Sequence, residues 1–156
     1  MSIFGKDEVA MQKFSAGLPV PEFDVDSFNR PKALPLAKVA IVTTAALYRD
    51  GGDGFTLGDS DYHYETFSRA ARDLKLGHHS VNFDRGGFAA DINVVYPIDR
   101  LEELREEGAI GDVADTHYSF AGNQSATLSE IRLDSGPSCA RDMIKENVDI
   151  VLLTGT

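Results

Sequence analysis

Apolar positions along the chain fall into a few short blocks divided by polar, glycine-rich stretches. The block Ile150 to Leu153 is four apolar residues in a row, without alternation. Such a run reads as a strand buried on both faces, as central parallel strands are. We therefore expect a central strand over Val148 to Leu153, ending in Thr154-Gly155-Thr156. A second block, Lys38 to Thr44, has the same form: apolar Val39 to Val42, then Thr43 and Thr44. If the two strands are parallel neighbours, their hydroxyl residues meet at one sheet edge. In open α/β sheets that carboxyl edge is where ligands bind.

The remaining elements are shorter. Leu74 to Leu76 predicts a brief strand, and a further strand is centred on His117 to Phe120. A helix is predicted over Asp99 to Glu107, with Asp99 as N-cap, Glu102 completing a capping box and Gly108 as its stop. Leu101 and Leu104 mark its inner face, and Ile110 folds back onto it. Ser135 to Glu146 predicts a second helix with Pro137 in its first turn and Cys139, Ala140, Met143 and Ile144 facing inward. Residues 62–72 and 124–133 carry no decisive pattern. Residues 77–93 read as a long polar loop holding two histidines, two asparagines and two aspartates, the profile of a functional segment. The fold expected is α/β, a parallel sheet with flanking helices in a Rossmann-like three-layer arrangement, over residues 37–156. Prolines 19, 21, 31 and 35 interrupt residues 1–36, where only a short helix ending near Phe14 is visible. That segment is either an arm that grips a second subunit or a disordered leader.

Composition narrows the function classes. Hydrophobic residues make up 42% of the 156, and 25 acidic against 15 basic residues give a net charge of −10. The acidic balance disfavours nucleic acid and anionic membranes as partners. No apolar run approaches the ~20 residues of a membrane-spanning helix, and no basic segment followed by an apolar one opens the chain. The single cysteine, Cys139, excludes an intramolecular disulfide and fits the reducing cytoplasm. His63, His78, His79 and His117, with Asp84 or Asp91, show no recognised metal-ligand spacing, so no metal is expected. Neither a phosphate loop, nor a dinucleotide fingerprint, nor a nucleophile elbow is present.

Several stretches together resemble the selenoprotein B family of glycine, sarcosine, betaine and D-proline reductases, closest to its stand-alone members. They are H-x-S-V-N-F-D-R at His78 to Arg85, D-I-N-V-V-Y-P-I-D-R-L at Asp91 to Leu101, E-G-A-I-G at Glu107 to Gly111, H-Y-S-F at His117 to Phe120, and V-D-I-V-L-L-T-G-T from Val148. The resemblance runs from about Lys38 to Thr156 and leaves the arm uncovered. Gly77, His79 and Ala121 depart from the usual residues of the family. The resemblance implies a selenocysteine directly after Thr156, encoded by UGA, so that the chain is truncated before its nucleophile and inactive as given. It implies reductive cleavage of a C–N bond in an amino acid or related amine, with a pyruvoyl group on a partner reductase subunit. A homo-oligomer is expected as well. The site would comprise Thr43, Thr44, His78, Asn82, Asp84, Asp91, Asn93, Tyr118, Ser119, Thr154, Gly155 and Thr156, with His78 as acid or base and Asp84 orienting it. The competing expectation is a non-catalytic α/β binding or interaction domain.

Overall fold

The structure, a computed structural model, describes residues 8–17, 29–56, 61–78, 85–122, 124 and 130–155. Its strands are β1 (Lys38–Thr43), β2 (Leu47–Arg49), β3 (Tyr64–Ser68), β4 (Leu74–Leu76), β5 (Asp112–Val113), β6 (Thr116–Phe120) and β7 (Ile150–Thr154). Its helices are α1 (Glu8–Ala16), α2 (Arg85–Ala90), α3 (Ile98–Glu106) and α4 (Gly136–Lys145).

β1 is the axis of the sheet. It pairs in parallel with β7 on one side and with β5 and β6 on the other. β3 then adds to β6 in antiparallel fashion, so the sheet is mostly parallel rather than wholly so. Alternation along β1 divides the core. Val39 and Ile41 face a cluster with Phe67, Val95, Tyr96, Ile98 and Leu101, on the α3 side. Val42 faces the opposite cluster of Tyr118, Phe120, Cys139 and Met143, on the α4 side. The fold is therefore α/β with helices on both sheet faces, as the apolar blocks imply.

One break in the ladder is closed by a side chain. β1 meets β5 at Lys38 and Val39 and meets β6 at Val42 and Thr43. Between these registers the Ile41 N–H donates to His117 Nδ1 at 3.0 Å. His117 is fully buried. It thus serves through Nδ1 as a sheet hydrogen-bond acceptor. Its ring meets Tyr96 edge-on at 5.4 Å.

Several expectations are corrected. The last strand is Ile150–Thr154, and among the described residues it pairs with β1 alone, which makes it an edge strand instead of a central one. Its Leu153 is 75% exposed. An unbroken apolar run cannot by itself tell a central strand from an edge strand whose outer faces are uncovered. Residues 77–93 contain α2 and a 3₁₀ turn at Ile92–Val94, so this segment is not one long loop. α3 starts at Ile98, and Asp99 lies inside its first turn without capping it. The Asp99 N–H donates to Asn93 Oδ1 at 3.0 Å, so an asparagine six residues upstream satisfies a donor that the expected capping box would have served. Leu104 is half-exposed while Leu101 is buried. In α4 the inward stripe is Ser135, Cys139 and Met143; Ala140 and Ile144 face out. A wide π-type turn at Ile131–Ser135 leads into α4 and sets that phase. By contrast Gly108, at φ +72°, ends α3 as expected, and Ile110 returns to the core.

Burial holds the His117 imidazole neutral, lowering its pKa from the usual 6.5 to about 4. Between those values the unfolded chain binds the proton and the folded chain does not, so stability falls as pH drops from 6.5 to 4. The loss amounts to about 3 kcal/mol at the rate of ~1.4 kcal/mol per pKa unit. In denaturant titrations at stepped pH, His117→Asn, which keeps an acceptor but does not titrate, should show a shallower decline over this interval.

Candidate functional site

The carboxyl edge of the sheet collects residues from four separate stretches. β1 ends at Thr43, and the Thr44 N–H donates to Thr154 O at 3.0 Å, carrying the β1–β7 ladder one step further. From there Ala45 and Ala46 lead into β2, with Ala46 at φ +53° making the turn. β4 pairs antiparallel with β2, Leu76 opposite Leu47, so the chain comes back to where it left β1. This small two-stranded ribbon delivers His78 to the carboxyl edge.

His78 is buried there. A side chain added at Gly122, just past β6, would come within 3.3 Å of His78 Cε1 and 2.9 Å of Thr44 O. The imidazole therefore lies against the strand-end backbone of β6 and beside that of β1. Arg85 Nη2 donates to His78 O at 3.0 Å, so the start of α2 ties the histidine's backbone in place. Gly77 is equally constrained: its N–H donates to Ala46 O, and a Cβ there would sit 2.7 Å from that oxygen. A side chain at this position, serine included, requires a shift of the β2 turn.

The other expected site residues divide into two groups. Thr43 Oγ1 accepts from the Ala45 N–H at 3.2 Å, Ser119 Oγ accepts from the Leu47 N–H at 2.7 Å, and Thr154 Oγ1 donates to Val95 O at 2.7 Å. These hydroxyls lie at the predicted edge and brace its turns. Tyr118 is buried in the α4-side cluster. Asp91 and Asn93 lie elsewhere, in the turn before α3. Asp91 Oδ1 accepts from both the backbone and side-chain N–H groups of Asn93, and the Asn93 amide also donates to Asp99. Those bonds hold the Asp91 carboxyl below its ordinary pKa. Gly155 is exposed, with nothing within 4 Å of a Cβ built on it. Asn82, Asp84, Thr156 and His79 lie outside the described residues.

Between the strand ends and α4 is an open cleft of about 420 Å³, lined by Val42, Thr44, Phe120, Gln124, Cys139 and Leu153 among others. Its walls are mainly apolar. Burial pushes the Cys139 thiol up to about 12, and the residue is 3% exposed, so it is neither ionised nor accessible at neutral pH.

Sequence reasoning passed over one polar group at the same edge. Tyr64 pairs with Phe120 in the β3–β6 register, which places residues 61–63 beyond the end of β6. Asp61 is buried and accepts from Thr56 N and Thr56 Oγ1, and its other oxygen contacts His63 Nδ1. Burial opposes its ionisation, but these bonds prevail and keep its carboxyl below the usual range. Phe55 stacks on the His63 ring at 4.7 Å. Gln124 Nε2 donates to Asp61 O and Ala121 O, joining this group to the β6 end and the cleft. The Asp-x-His spacing was the available signal, but alone it has no recognised meaning. Among the described residues no cluster of three or more His, Cys, Asp or Glu side chains is arranged to hold a metal ion, and no helix is long and apolar enough to cross a membrane.

With this geometry in place, comparison with known proteins is decisive on kinship. The model of the family described as "Glycine/sarcosine/betaine reductase selenoprotein B (GRDB)" matches residues 6–156. The chain belongs to this family. The match also takes in most of the N-terminal segment, which the motif resemblance had left uncovered. The D-proline reductase subunit gamma of Acetoanaerobium sticklandii is 32% identical over 124 residues, covering 79% of this chain and 50% of that subunit. The glycine reductase complex component B subunit gamma of Carboxydothermus hydrogenoformans is 30% identical over 154 residues, covering 93% and 34%. The sarcosine reductase complex component B subunit beta of Peptoclostridium acidaminophilum is 28% identical over 152 residues, with the same coverage. The chain thus spans a third to a half of the length of these curated relatives. No solved structure matches it.

The close approach at Gly122 yields a direct check of the edge. Gly122→Ala should drive a methyl against Thr44 O and the His78 ring, at a cost of ~1–3 kcal/mol in an overpacked site. Chemical denaturation measures the loss, and the histidine ring resonances should shift with it. An alanine tolerated without change would contradict the packing of His78 on the β6 end.

Proposed function

We propose that this chain is the strand-end portion of a selenocysteine-dependent reductase subunit that cleaves a C–N bond of an amino acid or related amine in the cytoplasm, and that it is inactive as it stands. The observation that carries this reading is the family match over residues 6–156, joined to a carboxyl edge that gathers Thr44, His78 and Thr154 around the end of β7. The implied selenocysteine directly after Thr156 would supply a nucleophile ionised at neutral pH, and a pyruvoyl group on a partner subunit would activate the amine. This chain's own contribution is then to position: Thr44 and Thr154 fix the strand end, His78, oriented by Asp84, holds or delivers a proton at the substrate nitrogen, and Asn82 holds a carboxylate or amide of the substrate.

The relatives are subunits of reductase complexes by name, which supports partner subunits here. The exposed Ile144 on α4 supports an interface, with such a subunit or with a second copy. The second reading, a non-catalytic binding or interaction domain, is favoured by the inaccessibility of Cys139, the one thiol in the sequence.

Two measurements separate the readings. The codon after residue 156 should be UGA, followed by an open frame that starts with a cysteine-containing loop; UAA, or UGA before unrelated sequence, would overturn the first reading. The 156-residue chain should show no dithiol-dependent reductive C–N cleavage of glycine, sarcosine, betaine or D-proline, read as released amine for the first three and as the ring-opened amino acid for D-proline. Robust turnover by this chain would mean that some other residue is the nucleophile.

A further inference from the structure

The two flanks of α4 are in different states. Successive residues of a helix turn by about 100°. Cys139 and Met143 therefore point the same way, onto the sheet, where they pack with Tyr118, Phe120 and Val42. Ser138 and Asp142 lie on one flank, within hydrogen-bond reach of the Tyr64 hydroxyl at 3.3 and 3.0 Å. Tyr64 is on β3, so that flank faces the β3 side of the sheet. The strands run β3, β6, β1, β7 across the sheet. Ala140, exposed and on the opposite flank, faces along the sheet toward β7 and past it. Arg141 and Lys145 take the solvent side.

β7 is uncovered on the same face. Val42 faces the α4 side and is in register with Leu153, as Ala40 is with Val151, so Val151 and Leu153 face that side too. The apolar cleft of about 420 Å³ opens between them and Met143. It is a groove floored by β7 and walled by α4 on one side only. Packed helices lie about 8–10 Å apart, and neighbouring strands about 4.8 Å apart. A helix beside α4 thus stands two strands further along the sheet. α4 packs on β6, and two strands on from β6 is β7. The path of the chain favours the same place. β6 leads through α4 to β7, an outward parallel crossover, and such crossovers are right-handed in about 98% of cases. A further crossover in the same direction puts its helix on the same face as α4. A second copy fits the groove less well. Its α4 would carry Arg141 and Lys145 into an apolar floor, and each copy has a net charge of −10.

We propose that a helix of the same protein, from a part beyond residue 156, occupies this groove beside α4, its apolar face on Met143, Val151 and Leu153, and that the strand after it pairs in parallel with the outer edge of β7. The inference rests on the reading given above, that the chain is a portion of a longer reductase subunit. The relatives leave room for such a segment: the aligned part is 50% of the D-proline reductase subunit gamma and 34% of the glycine reductase component B subunit gamma. What the inference adds is the face on which that segment folds back. With the helix seated, the apolar cleft is core rather than a substrate pocket.

The test is alkylation by iodoacetamide of cysteines introduced as Val151→Cys and Leu153→Cys, located by peptide mass spectrometry. It compares the 156-residue chain with the full open frame carrying a serine codon in place of the expected UGA. Arg141→Cys, on the solvent side of α4, is the reference. In the full-length protein both groove positions should react at least about tenfold more slowly than in the short chain, and position 141 equally in both. Hydrogen exchange over residues 150–154 makes the comparison without a substitution, and the full-length form should protect amides that exchange freely in the short one. Equal reactivity and equal exchange in the two forms would overturn the proposal. So would protection in the short chain that grows with its concentration, since a second copy would then be the occupant. Failure here is distinguishable from failure of the wider reading. A full-length protein that protects the groove but cleaves none of glycine, sarcosine, betaine or D-proline defeats only the reductase assignment. A selenocysteine-containing protein that turns over, with the groove open in its serine form, defeats only the groove. A UAA codon after residue 156 defeats both.

Discussion

The hydrogen bonding of β1 on both of its sides is the constraint on which the other features depend. On one side five successive residues of β1 are in register with β7. On the other, contact is split between β5 and β6, and the gap is closed by His117 accepting from Ile41. That bond is worth more than its own ~1 kcal/mol. Without it a buried backbone donor in the centre of the sheet would be unsatisfied, and the registers on either side would no longer be tied together. The edge positions of Thr44, Thr154 and Gly122 follow from that shared register.

The carboxyl edge is built by the same economy of parts. Side-chain hydroxyls that would be natural ligand donors are turned inward to hold tight turns: Thr43 to Ala45, Ser119 to Leu47, Thr154 to Val95. The groups left facing the edge are imidazoles, one at His78 and one at His63, each held by a neighbour. An arginine from α2 anchors the backbone of the first. A buried carboxylate anchors the ring of the second.

The longer blocks were legible in the sequence because their patterns are local. β1, β6 and the Gly108 stop of α3 follow from runs of apolar residues and a single glycine. Other features depend on contacts that no local pattern encodes. β7 has the composition of a central strand, and its place at the edge depends on which strands lie beyond it. β2 and β4 are three residues each, and only their pairing explains how His78 reaches the strand ends. The cap of α3 comes from Asn93 at a distance of six residues, outside the usual capping positions. The Asp61–His63 pair was hidden because its significance comes from Thr56 and Gln124, remote in sequence and adjacent in space.

The central claim is that the carboxyl edge of β1, β6 and β7 is where this family member does its chemistry, with His78 set beside the strand end. The measurement that bears on it most directly compares His78→Ala with the parent in a full-length protein carrying selenocysteine, assayed with its partner subunits for both turnover and unfolding free energy. The account predicts a loss of turnover of about a hundredfold or more, in the range of a general acid–base residue, with only a small change in stability. Turnover that falls no further than stability explains, or that does not fall at all, would contradict it.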